Sequence, residues 1–151
     1  MDLTVSLREI DSDNLSSVLG LEVTESQKKV YPRSNAYSIA EGHYPTDDDP
    51  VWMRAIYAGD TPVGFLMTSE APDQGDYFLW RLMIGGQFQS RGYGQRAVQL
   101  LIERIRSLPN AKCLITSHLK DDGDAGPFYQ RLGFAYTGEI AGDDHLMRID
   151  F

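Results

Sequence analysis

At 151 residues the chain is long enough for one compact domain with a substantial core, and too short for two ordinary ones. Its residues are 42% hydrophobic and 24% charged, the balance of a globular chain and not of a disordered one. A net charge of -8 speaks against nucleic acid as the main ligand, because phosphate binding is driven by clustered lysine and arginine; it suits a cationic ligand better.

The first residues show no basic segment followed by an apolar stretch, and no run approaches the roughly 18 apolar residues of a membrane span. The expectation is therefore a soluble, cytoplasmic protein with no membrane partner. Residues 3–10 alternate apolar and polar, the period of a half-buried strand. Asp11, Ser12 and Asp13 offer N-caps to a first helix carrying Leu15, Val18, Leu19 and Leu21. A second helix is expected over residues 34–41, after the break at Pro32. Residues 45–50, with prolines at both ends around Asp47, Asp48 and Asp49, read as a solvated turn; no further ligands are spaced around them for a metal.

Residues 51–58 and 63–69 predict a hairpin joined by Gly59-Asp60-Thr61-Pro62. Residues 77–84 read as a central strand largely covered on both faces. From Gly92 to Leu108, Ala97, Leu101, Ile105 and Leu108 recur at helical spacing with Val98 and Ile102 beside them, and Pro109-Asn110 ends that helix. A strand at 111–117 follows, holding the single cysteine, Cys113, which reads as a buried structural thiol. A short helix at 127–132 and two strands around 134–139 and 146–151 complete the chain. The order β-α-α-β-β-β-α-β-α-β-β predicts one α/β (α+β) domain, without repeat or linker, antiparallel in its first half and βαβ in its second.

The stretch Gln89-Ser90-Arg91-Gly92-Tyr93-Gly94-Gln95-Arg96-Ala97 lies where the central strand gives way to the long helix. Gly92-x-Gly94-x-x-Ala97 matches a dinucleotide fingerprint formally. The acidic residue wanted roughly 20 positions on is missing from 112–116, and the remaining chain is too short for the rest of that fold. Two readings stay open on the residues alone. One is a pyrophosphate loop, in which free N–H groups at a helix start meet phosphate oxygens, helped by Arg91 and Arg96. The other is a tight strand-to-helix turn that needs glycine for its own geometry.

Downstream, Gly126-Pro127-Phe128-Tyr129-Gln130-Arg131-Leu132-Gly133-Phe134 forms a short helix stopped by glycine and running into a strand. Taken together, Gln89-x-x-Gly92-x-Gly94 and Phe128-Tyr129-x-x-Leu132-Gly133-Phe134 resemble the GCN5-related N-acetyltransferases (GNAT). The resemblance covers nearly the whole chain in element order and is densest from Trp80 to Phe134. Within that superfamily, residues 34–41 and 59–65 look like the bacterial spermine/spermidine (diamine) acetyltransferases.

The resemblance implies a single mixed, mostly antiparallel twisted sheet with flanking helices, whose neighbouring parallel strands at 77–84 and 111–117 splay to receive acetyl-CoA as co-substrate, without a metal. It implies that the main chain at Leu82, Met83 and Ile84 meets the pantetheine arm, with an N–H near Ile84 facing the thioester oxygen. It assigns Gln89, Ser90, Arg91, Gly92, Tyr93, Gly94, Gln95 and Phe128 to coenzyme A, and Tyr129 to the acid that protonates or stabilises the leaving thiolate.

The acceptor is then a small-molecule amine. A primary amine with a pKa of about 10.4 must lose a proton before it attacks. Glu41 on the second helix is the candidate base, with His118 an alternative; His43 and His145 have no contextual support. Glu22, Glu25, Glu41 and Trp80 are the candidate acceptor-site residues. Two positions depart from the family pattern. Asp122 stands where many relatives carry an asparagine, and a carboxylate cannot donate a hydrogen bond. Trp80 replaces the usual acidic residue before Arg81, which puts the polyamine assignment in doubt more than the acetyl transfer. Rival acceptors are an amino-sugar antibiotic or a protein amino group, and a non-catalytic CoA-binding regulatory module is the rival from another class. A homodimer is compatible with such a domain.

Overall fold

The structure, a computed structural model, describes residues 4–29, 31–120 and 125–151. The strands are β1 (Val5–Arg8), β2 (Val51–Ala58), β3 (Thr61–Ala71), β4 (Asp76–Ile84), β5 (Cys113–Leu119), β6 (Ala135–Ala141) and β7 (Asp144–Asp150). They form one sheet in the order β1-β2-β3-β4-β5-β7-β6, antiparallel throughout except for the β4–β5 pair. The helices are α1 (Leu15–Leu19), α2 (Asn35–His43), α3 (Tyr93–Arg106) and α4 (Gly126–Arg131). This is the element order and the mixed sheet that the sequence predicts.

α3 shows why the periodicity is informative. Ala97, Val98, Leu101, Ile102 and Ile105 are all buried and pack with Ile56, Leu66, Tyr77, Leu79 and Leu114 of the sheet. Each large aliphatic side chain so buried contributes about 1.5–3 kcal/mol, and Leu101→Ala would cost about 2–5 kcal/mol. A second cluster, with Val18, Leu21, Tyr57, Phe65, Met67 and Met83, is shared with the segment carrying α1 and α2. Ser34 caps α2 by accepting a hydrogen bond from the Tyr37 amide at 3.1 Å.

Several local expectations need correction. α1 is only five residues long and begins after Asn14; Leu21 lies beyond it, and Leu15 and Leu19 are exposed. Asp11 Oδ1 accepts from the amides of Asp13 and Asn14, so its side chain holds a turn ahead of the helix. The β2–β3 connection is only Gly59-Asp60, because Gly59 takes φ 60 and closes a two-residue turn, leaving Thr61 and Pro62 in the strand. A 3-10 helix, Glu25–Lys29, occupies a stretch with no helical periodicity. β4 is not covered evenly: Tyr77, Leu79 and Met83 are buried, whereas Phe78, Trp80, Leu82 and Ile84 are half-buried. Leu3, expected to begin β1, and Asp122 lie outside the described residues.

The relation between β4 and its neighbours positions everything that follows. On the β3 side, Met67 pairs with Arg81 and Thr68 with Leu79, so Trp80 is an extra residue, a β-bulge. On the β5 side, parallel pairing runs from Asp76 with Cys113 to Leu79 with Thr116 and stops. Beyond that rung β4 continues against β3, while β5 continues against β7 through Ser117, His118 and Leu119. A bulge bends and over-twists its strand. The two strands accordingly part at Trp80.

Candidate active site

The parted strands open a cleft of about 830 Å³. Trp80, Leu82, Met83 and Ile84 line one wall, and Thr116, Ser117, His118 and Leu119 the other. Past Leu79 the β5-facing edge of β4 has no strand partner, so its backbone groups, apart from the Trp80 and Ile84 carbonyls that accept from Arg81 and Gln89 side chains, are open to an extended ligand.

At the mouth, Ser90 (φ 63) and Gly92 (φ 81) both take left-handed backbone and turn the chain into α3. A serine in that conformation stores of order 1 kcal/mol, the kind of strain that clusters at ligand-holding loops. A Cβ on Gly92 would touch nothing within 4 Å, so its glycine answers to backbone conformation and not to a crowded neighbour. Arg96 is the first amide of α3 bonded back into the turn, to the Gly92 carbonyl at 3.1 Å. No side chain caps this helix, and the amides of Gly92, Tyr93, Gly94 and Gln95 find no acceptor among the described residues. Four free donors at the positive end of a 14-residue helix suit a phosphate.

Gln89 has a structural task within this loop. Its Nε2 donates to the Ile84 carbonyl at 2.9 Å and to Gln27 Oε1 at 2.6 Å, tying the loop to β4 and to the 3-10 helix. Ser90, Gly92, Tyr93, Gly94, Gln95 and Phe128 line the cleft with it. Arg91 does not; its Nη2 donates to the Gln87 carbonyl at 3.4 Å. Arg96 lies along α3 beside Glu103 at 3.5 Å, away from the cleft. Arg131, which no motif flagged, lines the cleft from α4.

Tyr129 reaches the cleft from α4 and is 7% exposed. The amides of Leu132 and Phe134 donate to its carbonyl at 3.0 and 3.1 Å, and Phe128 and Phe134 pack edge-on at 5.1 and 5.4 Å. Burial pushes its phenol above the ordinary tyrosine range, with its hydrogen-bond partner, the Thr116 hydroxyl, working the other way. It is therefore held as an un-ionised O–H donor. His118 is close by, its ring stacked 6.5 Å from that of Tyr129, and its Nδ1 and Nε2 lie 3.0 Å from the Leu119 carbonyl and Tyr136 Oη.

The candidate acceptor residues are less united. Trp80 lines the cleft at the bulge, with the Arg81 guanidinium 5.5 Å from its ring centroid. Glu41 does not line it; its carboxylate receives Arg81 Nη2 at 3.0 Å in a partly buried ion pair. Glu22 and Glu25 lie outside the cleft as well, and both pair with Lys28, at 3.9 and 2.8 Å. His43 closes α2, and His145 packs edge-on to Tyr136 at 6.4 Å. Tyr31, Arg33 and Asp144, none of them singled out by a motif, do line the cleft. Tyr31 precedes a proline at the end of an irregular stretch, where no periodicity marks it. Among the described residues no group of three His, Cys, Asp or Glu side chains could hold a metal, and no helix is long and apolar enough to cross a membrane.

Residues 14–134 match the family model of the Acetyltransferase (GNAT) family. The chain is 26% identical over 144 residues to the spermine/spermidine N(1)-acetyltransferase of Bacillus subtilis, covering 91% of this chain and 92% of that protein. Its fold is similar to that of the spermidine N-acetyltransferase from Vibrio cholerae solved with CoA and spermine, with a TM-score of 0.75, 13% identity and coverage of 97% and 95%. It is also similar to the PaiA N-acetyltransferase from Thermoplasma acidophilum in complex with coenzyme A, with a TM-score of 0.72, 15% identity and coverage of 99% and 100%. The bulged strand, the glycine loop and the Tyr129 helix all lie inside the matched span: the chain belongs to the GNAT acetyltransferase family.

Proposed function

We propose that this family member transfers the acetyl group of acetyl-CoA to a primary amine of a small molecule, with a polyamine such as spermidine or spermine the favoured acceptor. One observation carries the transfer reading: the cleft between the parted parallel strands is lined both by the start of α3, with its free amides, and by Tyr129. The residues fit coenzyme A. Gly92 to Gln95 offer N–H donors to a pyrophosphate, Arg131 offers a cation, and the open edge of β4 from Trp80 to Ile84 offers backbone groups to the pantetheine arm. Bound acetyl-CoA supplies the thioester, whose carbonyl carbon the amine attacks.

The transfer balances simply. A neutral amine forms the N–C bond as the C–S bond breaks; Tyr129 gives its proton to the departing sulfur, and the proton released by nitrogen restores the phenol. An un-ionised tyrosine suits that task because the acid must hold its proton until the thiolate forms. Glu41, whose carboxylate is paired with Arg81 of the cleft wall, is the candidate base that takes the ammonium's proton before the neutral amine attacks.

The polyamine acceptor draws its support from the Bacillus subtilis relative and from the Vibrio cholerae structure with spermine. The charge on the cleft wall favours a second reading, a monoamine acceptor. Arg33, Arg81 and Arg131 line the cleft, and among the described residues Asp144 is its one carboxylate. The deciding assay is thiol release from acetyl-CoA with spermidine, spermine, putrescine, aminoglycosides and peptides as acceptors. The protein's own thiol does not intrude, since Cys113 is 2% exposed and donates to Asp76 Oδ1 at 3.3 Å. Spermidine and spermine both inert, with another class turned over, would end the polyamine proposal.

A further inference from the structure

Asp144 is an aspartate inside a sheet, a place that this residue type seldom occupies. Pairing fixes it from both sides, with Leu119 of β5 and, across the two-residue turn of Gly142 (φ 63) and Asp143, with Ala141 of β6. It is half-buried, and among the described residues its side chain has no hydrogen bond and no ion pair. It lines the cleft, whose one carboxylate among the described residues it is. A half-desolvated carboxylate held in a rigid strand without a partner is a place where a cation fits.

The strand register decides which side of the cleft Asp144 faces. Side chains alternate along β5: Leu114 joins the core beneath α3, Thr116 bonds to Tyr129, and His118 stacks on it. Leu119 therefore points to the other face of the sheet, and Asp144, directly opposite it, points the same way. That face carries Arg81 and Met83, met by Glu41 and Asn35 of α2. Tyr129 thus stands on one side of the cleft and Asp144 on the other. Of the cations that line the cleft, Arg81 is neutralised by Glu41 at 3.0 Å, and Arg131 comes from α4 on the Tyr129 side. Arg33 lies over the Tyr37 ring at 4.4 Å and makes no ion pair with Asp144.

We propose that Asp144 holds the second ammonium group of a diamine or polyamine whose reacting nitrogen meets the thioester beside Tyr129. This rests on the acetyl-transfer reading of the cleft and chooses between its two acceptor classes. One carboxylate pairs with one ammonium, so the site favours two nitrogens over one and is indifferent to a third. The contact is the same before and during transfer, so it acts on KM and leaves kcat alone.

Putrescine and butylamine make the test, because they share a four-carbon primary amine and differ in the second nitrogen. Asp144→Asn in the full chain should raise KM for putrescine and for spermidine about tenfold, the loss of roughly one charge-assisted hydrogen bond. KM for butylamine, kcat, the acetyl-CoA dissociation constant and the melting temperature should stay as they are, and Asp144→Glu should restore much of the putrescine KM. Equal changes for putrescine and butylamine, or no change for either, would overturn the proposal. In the wild type the preference for putrescine over butylamine should shrink as salt is added; a preference that salt does not touch would overturn it too. If none of the three amines releases thiol from bound acetyl-CoA, the acetyl-transfer reading falls, and calorimetry of spermidine into the CoA-loaded protein then decides the anchor. Binding that Asp144→Asn weakens would uphold it, and binding that the variant leaves intact, or no binding at all, would overturn it.

Discussion

Thr116 Oγ1 donates to the Leu79 carbonyl at 3.4 Å on the last rung that β4 and β5 share. The same hydroxyl is a partner of Tyr129, so one threonine joins the point where the strands part to the proposed acid. Thr116→Val keeps the shape and removes both hydrogen bonds. It should lower stability by about 1 kcal/mol and lower kcat several-fold, with acetyl-CoA affinity nearly unchanged. Full activity in a destabilised protein would confine Thr116 to the sheet.

Tyr129→Phe removes the hydroxyl but keeps the ring among Phe128 and Phe134. The loss should fall on the transition state, with kcat reduced roughly 10- to 1000-fold and acetyl-CoA binding little altered. Melting should change by no more than the equivalent of about 1–2 kcal/mol. Steady-state kinetics and calorimetry on this one variant separate an acid from a packing tyrosine.

The two loop glycines should fail for different reasons. Gly92→Val meets no neighbour but forces a branched residue to φ 81, so it should destabilise the fold by about 1–2 kcal/mol and weaken acetyl-CoA binding as well. At Gly94 a Cβ would make ordinary contacts, 3.5 Å from Ile84 and 3.7 Å from Phe128. Gly94→Ala should therefore leave melting close to wild type and act on cofactor affinity, read by titration calorimetry. Undiminished affinity in both variants would put the phosphates elsewhere.

Alkaline pH should expose Tyr31. Burial pushes its phenol from 10.0 up to about 12. A raised folded-state pKa contributes stability that is complete below the unfolded value and is lost as pH climbs through the folded one. The window is about pH 10 to 12, and its full extent is about 2–3 kcal/mol. Tyr129 moves in the same direction. Urea melts at pH 8, 10 and 11 should show wild type weakening faster than Tyr31→Phe; parallel curves would contradict the buried phenol.

Glu41→Gln leaves the Arg81 guanidinium without its carboxylate at the rim of the cleft. A polycation then meets an uncompensated positive charge, so KM for spermidine should rise more than KM for a monoamine, and more at low salt than at high. Stability should fall by no more than about 1 kcal/mol. Equal changes for both amines would remove Glu41 from the acceptor site.

Local chemistry along the chain was enough to reveal the element types and the glycine loop. Val98, Leu101, Ile102 and Ile105 declare α3 through a period that any helix must obey, and the two glycines declare a backbone conformation open to few other residues. The shape of the cleft has no such local signature. Trp80 becomes a bulge only because Met67 pairs with Arg81 and Thr68 with Leu79, and β4 leaves β5 only because each finds its next partner on the other side. Arg81 finds Glu41 across 40 residues and Gln89 finds Gln27 across 62. Tyr31 lies in an irregular stretch, and nothing near it in the chain says that its hydroxyl will be buried beside Ser38. Periodicity records which face of an element is covered, but strand register and side-chain meetings depend on what covers it, and that is decided when the sheet closes.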